Sequence, residues 1–359
     1  IGRRTATLLP GITDYNITGL LDRDKNNVGK ELCDIKVIPI DNIEEKADLI
    51  IINSDPSNYE IIFKRISGEV TIPVYYADGR LACLSDKDKS YEQNEYWKSS
   101  YEELKDKIDQ ADIVSFDTLI MRKIFSPEDV FRLLGEKVKA ELKSDCNIAG
   151  IRAQVAAKCG PFATINEIYE KIKKQIDLTD KNISDIMQLE KKTDMDLCIA
   201  RKDIAELYEY CIESGKEVYL ISDMYYTLED IKNLLKKCGL SIIDDRHIWI
   251  SCEKKKDKIS GSLWKEYSSV VGKNAKCIHI GDNKIGDIEN STKYGINSYY
   301  VMSGKDMLMN SSLSELASYV NTVSDSICLG IVIAKLFNSP FALCSTNGKV
   351  SFDDSEIYG

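Results

Sequence analysis

The sequence is poor in histidine, and its cysteines follow no regular pattern. Only His247 and His279 occur in 359 residues, which removes histidine-based triads and multi-histidine metal sites from consideration. The 11 cysteines include no CxxC pair, which argues against a disulfide framework and a zinc site and favours a reducing, cytoplasmic location. Any metal would therefore be held mainly by carboxylates, which suits a hard cation such as Mg²⁺.

Long apolar runs and strongly basic segments are also missing. No apolar run reaches the ~20 residues needed to span a bilayer, and the longest candidate, "ICLGIVIA" from Ile327, is interpreted as a buried strand or a short helix. The net charge is −10 and the basic stretch "EKKKDK" from Glu253 is short, so nucleic acid is not an expected partner. With 43% hydrophobic and 30% charged residues, the composition is that of an ordinary globular protein of two or three domains.

Residues 1–75 are predicted to form a truncated Rossmann-like domain. Here "GRRTATLL" suits a helix, whereas "YNITGLLD" and "ADLIIINS" suit strands of a parallel sheet. Gly2 fits the last glycine of a GxGxxG loop, and Asp22 then lies where a Rossmann fold places its ribose-binding acid. One interpretation is a nucleotide bound at Gly2 and Asp22; a sheet without a retained cofactor is the other. We expect the chain, which opens at "IGRR" and stops at "SEIYG", to be a piece of a longer protein.

The rest of the chain reads as one parallel sheet interrupted by helices. Residues 76–110 are predicted to be a connection with a lead-in helix, and 126–205 are predicted to be helical because apolar residues recur at three- and four-residue steps. Apolar strand-like runs occupy 111–125 and 206–310, namely "IVSF", "EVYLIS", "HIWIS", "CIHIG" and "NSYYV". The predicted fold class is α/β, and residues 311–359 are predicted to begin a C-terminal segment.

Polar residues follow the ends of four of these strands. Asp117 comes after "IVSF", Ser222 ends "EVYLIS", Lys258 lies a short loop beyond "HIWIS", and Asp282 and Asp287 follow "CIHI". Open α/β sheets bind their ligands beyond the carboxyl ends of their strands. We therefore expect an acid, a hydroxyl, an ammonium group and paired acids to converge on one pocket.

These motifs resemble the haloacid dehalogenase superfamily, whose members are mostly magnesium-dependent phosphohydrolases. The resemblance spans Ile113 to about Val301, and "VYLISDMYYTLEDI" and "HIGDNKIGDI" are similar to a bacterial branch found among surface-polysaccharide enzymes. In that branch a Rossmann-like domain precedes the hydrolase. The resemblance implies a Rossmann-like parallel-sheet domain followed by a dehalogenase-type parallel α/β core, with the helical insert over 126–205 as its cap.

The resemblance also implies a role for each motif. Asp117 would be the nucleophile that forms an aspartyl-phosphate, and Asp117, Asp282 and Asp287 would hold Mg²⁺. Lys258 would neutralise charge between nucleophile and phosphate, and Ser222 would hydrogen-bond a phosphoryl oxygen. The expected substrate is a small phosphorylated metabolite such as a sugar phosphate, and the expected partners are other glycan-biosynthesis enzymes.

One motif departs from the family pattern. The branch typically reads "SFDxFDTL", with a nucleophile and a general acid, but this sequence has only "SFDTL". Matching on "VSF" makes Asp117 the nucleophile and puts Leu119 in the general-acid position; matching on "TLIMR" leaves Val114 where the nucleophile belongs. We favour the first alignment because Asp117 directly follows the strand. A missing general acid commonly lowers the rate ~10²–10⁴-fold.

Three functions therefore remain open. The first is a magnesium phosphohydrolase with a weakened or rearranged acid. The second is a hydrolase acting at carbon, as the dehalogenases are, although the pair Asp282 and Asp287 counts against chemistry that needs no magnesium. The third is a catalytically degenerate module that binds phosphate or a nucleotide sugar.

Three further expectations concern individual side chains. Thr227 and Asp230 have the spacing of a helix capping box. Arg152 and Lys158 are interpreted as ordinary solvated helix charges, with contact to a second anionic group of the substrate as the alternative. His279 is expected to be a half-buried sheet residue and not a ligand.

Overall fold

The computed structural model describes residues 15–82, 90–142, 146–176, 179–272 and 275–350, together with Thr5 and Leu9. Gly2 and most of the helix predicted over "GRRTATLL" lie outside the described residues. The described chain forms an α/β protein, which confirms the predicted fold class.

In its described residues the N-terminal part contains short strands and an α-helix. They are β1 (Glu31–Leu32), β2 (Ile35–Lys36), β3 (Ile50–Ile52), α1 (Tyr59–Ile66) and β4 (Val74–Tyr76). Strands β3 and β4 pair in parallel with α1 between them, as the run "ADLIIINS" predicted. The prediction of a strand over "YNITGLLD" is wrong. Leu20 makes only an isolated bridge to Val37, and the nearby strands β1 and β2 pair with each other.

The central sheet contains five parallel strands. The remaining strands are β5 (Ile113–Phe116), β6 (Ile120–Arg122), β7 (Cys198–Ala200), β8 (Glu217–Ser222), β9 (Ile248–Ile250), β10 (Cys277–Gly281) and β11 (Asn297–Tyr300). The sheet order is β11–β10–β5–β8–β9, and every neighbouring pair is parallel. Strand β5, which leads to Asp117, is therefore at the centre.

Helices surround this sheet and fill the insertion between β6 and β7. They are α2 (Tyr101–Asp109), α3 (Asp129–Glu141), α4 (Ile148–Cys159), α5 (Ile165–Lys173), α6 (Asp180–Leu197), α7 (Lys202–Glu213), α8 (Leu228–Lys237), α9 (Ser251–Lys254), α10 (Ser262–Val271), α11 (Asn290–Lys293), α12 (Gly304–Met309) and α13 (Val323–Leu336). Thr227 and Asp230 form the predicted capping box at the start of α8.

Burial on both faces explains the continuous apolar character of the central strands. In β5, Val114 and Phe116 pack with α2 and α7 on one face, whereas Ile113 packs with Tyr219 and Trp264, and so with α10, on the other. Every residue of β5 is buried. The strand therefore presents a polar side chain to a pocket only where it ends.

The insertion has its own core and a buried ion pair. Strands β6 and β7 pair antiparallel, and α3 to α6 lie between them in sequence. The guanidinium of Arg152 donates two hydrogen bonds of 2.9 Å to Glu190, and Arg152 is 2% exposed. The interpretation of Arg152 as a solvated charge is therefore wrong: its partner lies on α6, where the sequence around Arg152 gives no sign of it.

The segment after β11 is helical where it is described. "ICLGIVIA" lies within α13, so the helix interpretation of this run is confirmed over the strand. Gly330 of α13 packs closely against the backbone of Ile124, where a Cβ atom would lie 2.2 Å from the Ile124 nitrogen. Among the described helices, none combines the length and the apolar character needed to cross a membrane.

Candidate active site

Three of the predicted residues stand at the carboxyl ends of neighbouring strands of the sheet. Asp117 follows β5 directly, and its backbone N–H donates to the carbonyl of Ile280 on β10 at 3.1 Å. Ser222 ends β8, which pairs with β5 so that Phe116 lies opposite Leu220. Asp282 follows β10 on the other side of β5. Asp117 therefore stands between the ends of β8 and β10.

Lys258 is the central cation of this edge. It is 3% exposed, and its Nζ lies 2.6 Å from Asp117 Oδ2 and 2.5 Å from Asp287 Oδ1. Burial alone would lower the pKa of Lys258, but the carboxylates of Asp117, Asp287 and Asp223 outweigh it and raise the pKa. Lys258 is therefore a permanent ammonium group that joins two carboxylates.

The loop that carries Lys258 is fixed by side chains from two other elements. The Lys258 backbone N–H approaches both carboxylate oxygens of Asp223, at 3.3 and 3.2 Å. Asn290 of α11 donates through Nδ2 to the carbonyls of Lys258 and Ile259, at 3.1 and 2.6 Å. No sequence motif indicated Asn290, because a buried amide on a short helix follows no characteristic pattern.

Three carboxylates form a group that fits a hard cation. One oxygen each from Asp117, Asp282 and Asp287 lies within 4.8 Å of the others. Burial, followed by the charges of Asp117 and Asp287, raises the pKa of Asp282 to about 7. For Asp287 burial acts in the same direction, but Lys258 and His279 outweigh it and the pKa is lowered. An all-oxygen set of this kind suits Mg²⁺ better than a soft metal.

A close backbone approach positions Asp287. The segment Lys284–Glu289 is a π-helix, a rare form that occurs frequently at functional sites. It turns Asp287 back so that Oδ2 accepts the backbone N–H of Asn283 at 2.9 Å. A Cβ atom on Gly281 would lie 2.4 Å from the Asp287 Cβ, so this position tolerates only glycine. Gly281 was missed as a site residue, although the "GDN" sequence contains it.

His279 lies beneath the site and is not half-buried as expected, since its exposure is 0%. Its Nδ1 is 2.9 Å from Ser115 Oγ, and its Nε2 is 3.5 Å from Asp287 Oδ1. The ring also packs edge-on against Trp264 with centroids 4.6 Å apart. The reason for full burial is that α10 covers this face of β10. His279 thus supports Asp287 from the core side.

Two acidic or hydroxyl groups stand at the end of β8. Ser222 is half-buried and its backbone pairs with Ile250 of β9. Asp223 is more exposed than Ser222. Partial burial still raises its pKa to about 6, with Lys258 opposing the shift and Asp117 adding to it. Asp223 is a further charged group near the cluster that the sequence analysis assigned no role.

The short loop after β5 places an apolar side chain where the family pattern has its second acid. Leu119 is 3% exposed and belongs to the main core cluster. Val114, the residue that the other alignment would put in the nucleophile position, is fully buried in the same cluster. Asp117 is the acid of the "SFDTL" motif that lies beside Asp282 and Asp287.

Asp22 belongs to a different region of the molecule. Its carboxylate lies 3.4 Å from the guanidinium of Arg132 on α3, and both residues line a cleft of about 1730 Å³ between the N-terminal segment and α3. The residues lining this cleft do not include Asp117, Lys258 or Asp282. Gly2, the other residue proposed to bind a nucleotide, lies outside the described residues.

Comparisons with known proteins give structural neighbours but no sequence relatives. No family model and no curated protein matches the sequence. A haloacid dehalogenase-like family hydrolase from Xanthomonas campestris is 16% identical, covers 54% of this chain and 82% of its own, and has a TM-score of 0.37. L-2-haloacid dehalogenase from Xanthobacter autotrophicus is 13% identical, with 61% and 87% covered and a TM-score of 0.38. A hydrolase of the same family from Deinococcus radiodurans R1, with bound phosphate and sodium, is 16% identical, with 54% and 81% covered and a TM-score of 0.32.

These neighbours are hydrolases of the haloacid dehalogenase family. At such identities and TM-scores the likeness carries no argument about activity. The geometry of the site itself indicates its chemistry.

Proposed function

We propose that this chain is a hydrolase of the haloacid dehalogenase superfamily. Its activity would be magnesium-dependent hydrolysis of a small phosphorylated metabolite, such as a sugar phosphate, through an aspartyl-phosphate. The observation that supports this most directly is the buried Lys258 ammonium, which joins Asp117 to Asp287 beside Asp282. Three clustered carboxylates, two of them paired with a permanent cation, form a site for an anionic group together with a hard metal ion.

Asp117 is the group that attacks. Lys258 donates a hydrogen bond to its Oδ2 atom, and Oδ1 is the atom that would approach phosphorus. Attack forms the phosphorus–oxygen bond to Asp117 and breaks the bond to the leaving oxygen; a water molecule then hydrolyses the acyl phosphate and releases inorganic phosphate. Ser222, at the end of the neighbouring strand, donates to a phosphoryl oxygen in this scheme.

Asp117, Asp282 and Asp287 would hold Mg²⁺. When bound, this ion supplies positive charge for the phosphoryl oxygens. Because Leu119 cannot donate a proton, the leaving oxygen must depart as an anion or take its proton from water. Substrates with acidic leaving groups, such as aryl phosphates, are therefore expected to react faster than alkyl phosphates.

The test is hydrolysis of an aryl phosphate by the purified chain with and without Mg²⁺. Asp117→Asn is expected to abolish turnover, because the amide is a far weaker nucleophile and no longer pairs with Lys258. Asp112→Asn is the matched control, since Asp112 precedes the same strand at the opposite end of the sheet and should leave the rate unchanged. Turnover that persists in Asp117→Asn would refute this assignment of the nucleophile.

A second candidate is a catalytically degenerate module that binds phosphate or a nucleotide sugar. The observation that favours it is the burial of Leu119 in the core, which leaves no room for the family's second acid in the shortened loop. In that case neither the wild type nor Asp117→Asn turns over an aryl phosphate, while inorganic phosphate still binds in a calorimetric titration.

The proposal also covers the cap, the N-terminal domain and the biological setting. We propose that the cap covers 126–205, that residues 1–75 belong to a Rossmann-like domain able to bind a nucleotide through Gly2 and Asp22, and that the protein acts among surface-polysaccharide enzymes. The parallel β3–α1–β4 unit supports the Rossmann-like segment. The branch itself rests on the resemblance of the sequence motifs alone.

A further inference from the structure

Arg201 is a buried cation that connects two strand ends of the sheet. It lies between β7 and α7 and is 2% exposed. Its backbone N–H donates to the carbonyl of Leu119 at 2.8 Å, and its Nη2 donates to the carbonyl of Met302 at 2.8 Å. Leu119 belongs to the short loop after β5, and Met302 follows β11. Arg201 therefore spans from one side of β10 to the other.

Asp282 lies between these two anchor points. Strand β10 is the neighbour of both β5 and β11, and the Val301 backbone N–H donates to the carbonyl of Gly281, directly before Asp282, at 3.0 Å. The backbone of Arg201 lies beside Leu119, and its side chain reaches Met302. The side chain must therefore pass the end of β10. Burial lowers the pKa of Arg201, and the charge of Asp282 is the first of the effects that oppose this shift.

The guanidinium of Arg201 has hydrogen-bonding capacity to spare. Its Nε and Nη1 atoms are buried and have no hydrogen-bond partner among the described residues. A buried guanidinium without acceptors for its N–H groups is costly, so these donors are expected to serve an anion. Asp282 is the acid at the end of the strand that Arg201 crosses. Neither donor forms a direct hydrogen bond to it, so the interaction would run through one water molecule.

We propose that Arg201 is a positioning residue for Asp282. It orients the Asp282 carboxylate toward Asp117 and Asp287, so that the three carboxylates bind one divalent cation. This inference rests on the proposed function for the identity of the cation. Because Arg201 also ends the return strand of the helical insertion, it fixes the metal-ligand geometry to the point where that insertion rejoins the sheet.

The experiment is a calorimetric titration of the metal-free protein with Mg²⁺. Arg201→Gln is expected to weaken Mg²⁺ binding by roughly 10- to 100-fold, the usual effect of removing a group that orients a metal ligand. Arg201→Lys keeps the charge but loses the forked reach to two groups, so it should recover part of the affinity. The control is Arg122→Gln on β6 of the same hairpin, where the lost partner is Asp194. It should lower stability and leave Mg²⁺ affinity unchanged.

Three results would overturn the inference: wild-type affinity in Arg201→Gln, equal weakening in Arg122→Gln, or no Mg²⁺ binding by the wild type. If Arg201→Gln does not fold, Arg201→Lys carries the test in a double-mutant cycle with Asp282→Asn. The two substitutions should then be non-additive in the unfolding free energy of the metal-free protein, and additivity would contradict the coupling between Arg201 and Asp282. Mg²⁺ binding that depends on Arg201 in a chain without phosphatase activity would refute the proposed reaction and leave this inference standing.

Discussion

The site depends on one residue that carries no side chain. Gly281 lets Asp287 fold back against the end of β10, and any Cβ atom there would overlap the Asp287 carboxylate. Gly281→Ala is expected to lower the unfolding free energy by about 1–3 kcal/mol, the usual effect of overpacking. It should also weaken Mg²⁺ binding because Asp287 must move. Urea denaturation and a Mg²⁺ titration measure the two effects.

Gly135→Ala provides the matched control for this prediction. Gly135 lies inside α3, and a Cβ atom there would meet its nearest neighbour, Ala149, at an ordinary 3.6 Å. Alanine is a better helix former than glycine by about 1 kcal/mol, so this variant should be as stable as the wild type or more stable. Equal destabilisation by both substitutions would contradict the steric explanation.

At the same scale, the sequence revealed residues whose role depends on near neighbours in the chain. The capping box of Thr227 and Asp230 was predicted because its two members are three residues apart. The burial of Arg152 was not, because Glu190 lies 38 residues further along. The clustering of Asp117, Asp282 and Asp287 was predicted from their positions after strand ends. The turn of the backbone that brings the Asp287 carboxylate back to Asn283 depends on the π-helix, which the sequence did not reveal.

A buried acid links three helices of the insertion. Glu190 on α6 is 0% exposed and accepts two hydrogen bonds from Arg152 and one of 2.6 Å from Tyr169. Glu190→Gln leaves the Arg152 charge uncompensated, and we expect a loss of about 3–5 kcal/mol of stability. Denaturant unfolding measures the loss, and Mg²⁺ affinity in the folded protein should not change.

Glu170→Gln serves as the control, because Glu170 is an exposed acid next to Tyr169 on α5. Its removal should change the unfolding free energy by less than about 0.5 kcal/mol. A Glu190→Gln variant as stable as Glu170→Gln would show that the buried network does not hold the insertion together.

At the level of elements, apolar runs identified the central strands well. "IVSF", "EVYLIS" and "CIHIG" became β5, β8 and β10 because parallel strands are buried on both faces and lack polar alternation. "YNITGLLD" has similar composition but is not a strand: Leu20 makes only an isolated parallel bridge to Val37, and pairing partners are a tertiary property. The sequence of "ICLGIVIA" is compatible with a strand and with a helix, because short apolar runs suit either form.

For the molecule as a whole, the clustered acids predict an unusual dependence of stability on pH. The pKa of Asp282 in the folded protein is about 7, so between pH 5 and 7 the folded state holds a proton that the unfolded state has released. Stability falls as pH rises whenever the folded state binds more protons. The pKa of Asp223, about 6, acts in the same direction. Asp287, with its lowered pKa, is ionised in both states and adds no slope.

The metal-free protein should therefore lose roughly 2 kcal/mol of stability between pH 5 and pH 7 through Asp282. Urea denaturation at both pH values, with a chelator present, measures the difference. Asp282→Asn should remove most of it. Stability that rises over this range in the wild type, or a slope unchanged in Asp282→Asn, would contradict the prediction.

The hairpin of β6 and β7 has an evolutionary consequence. The chain leaves the sheet through one strand and returns through the other, and Ile120 lies opposite Ala200 in the antiparallel register. The helical insertion thus begins and ends at one two-stranded hairpin. Recombination or gradual drift can lengthen, shorten or exchange the insertion while the strand order of the central sheet stays intact. The insertion and the sheet can therefore evolve at different rates.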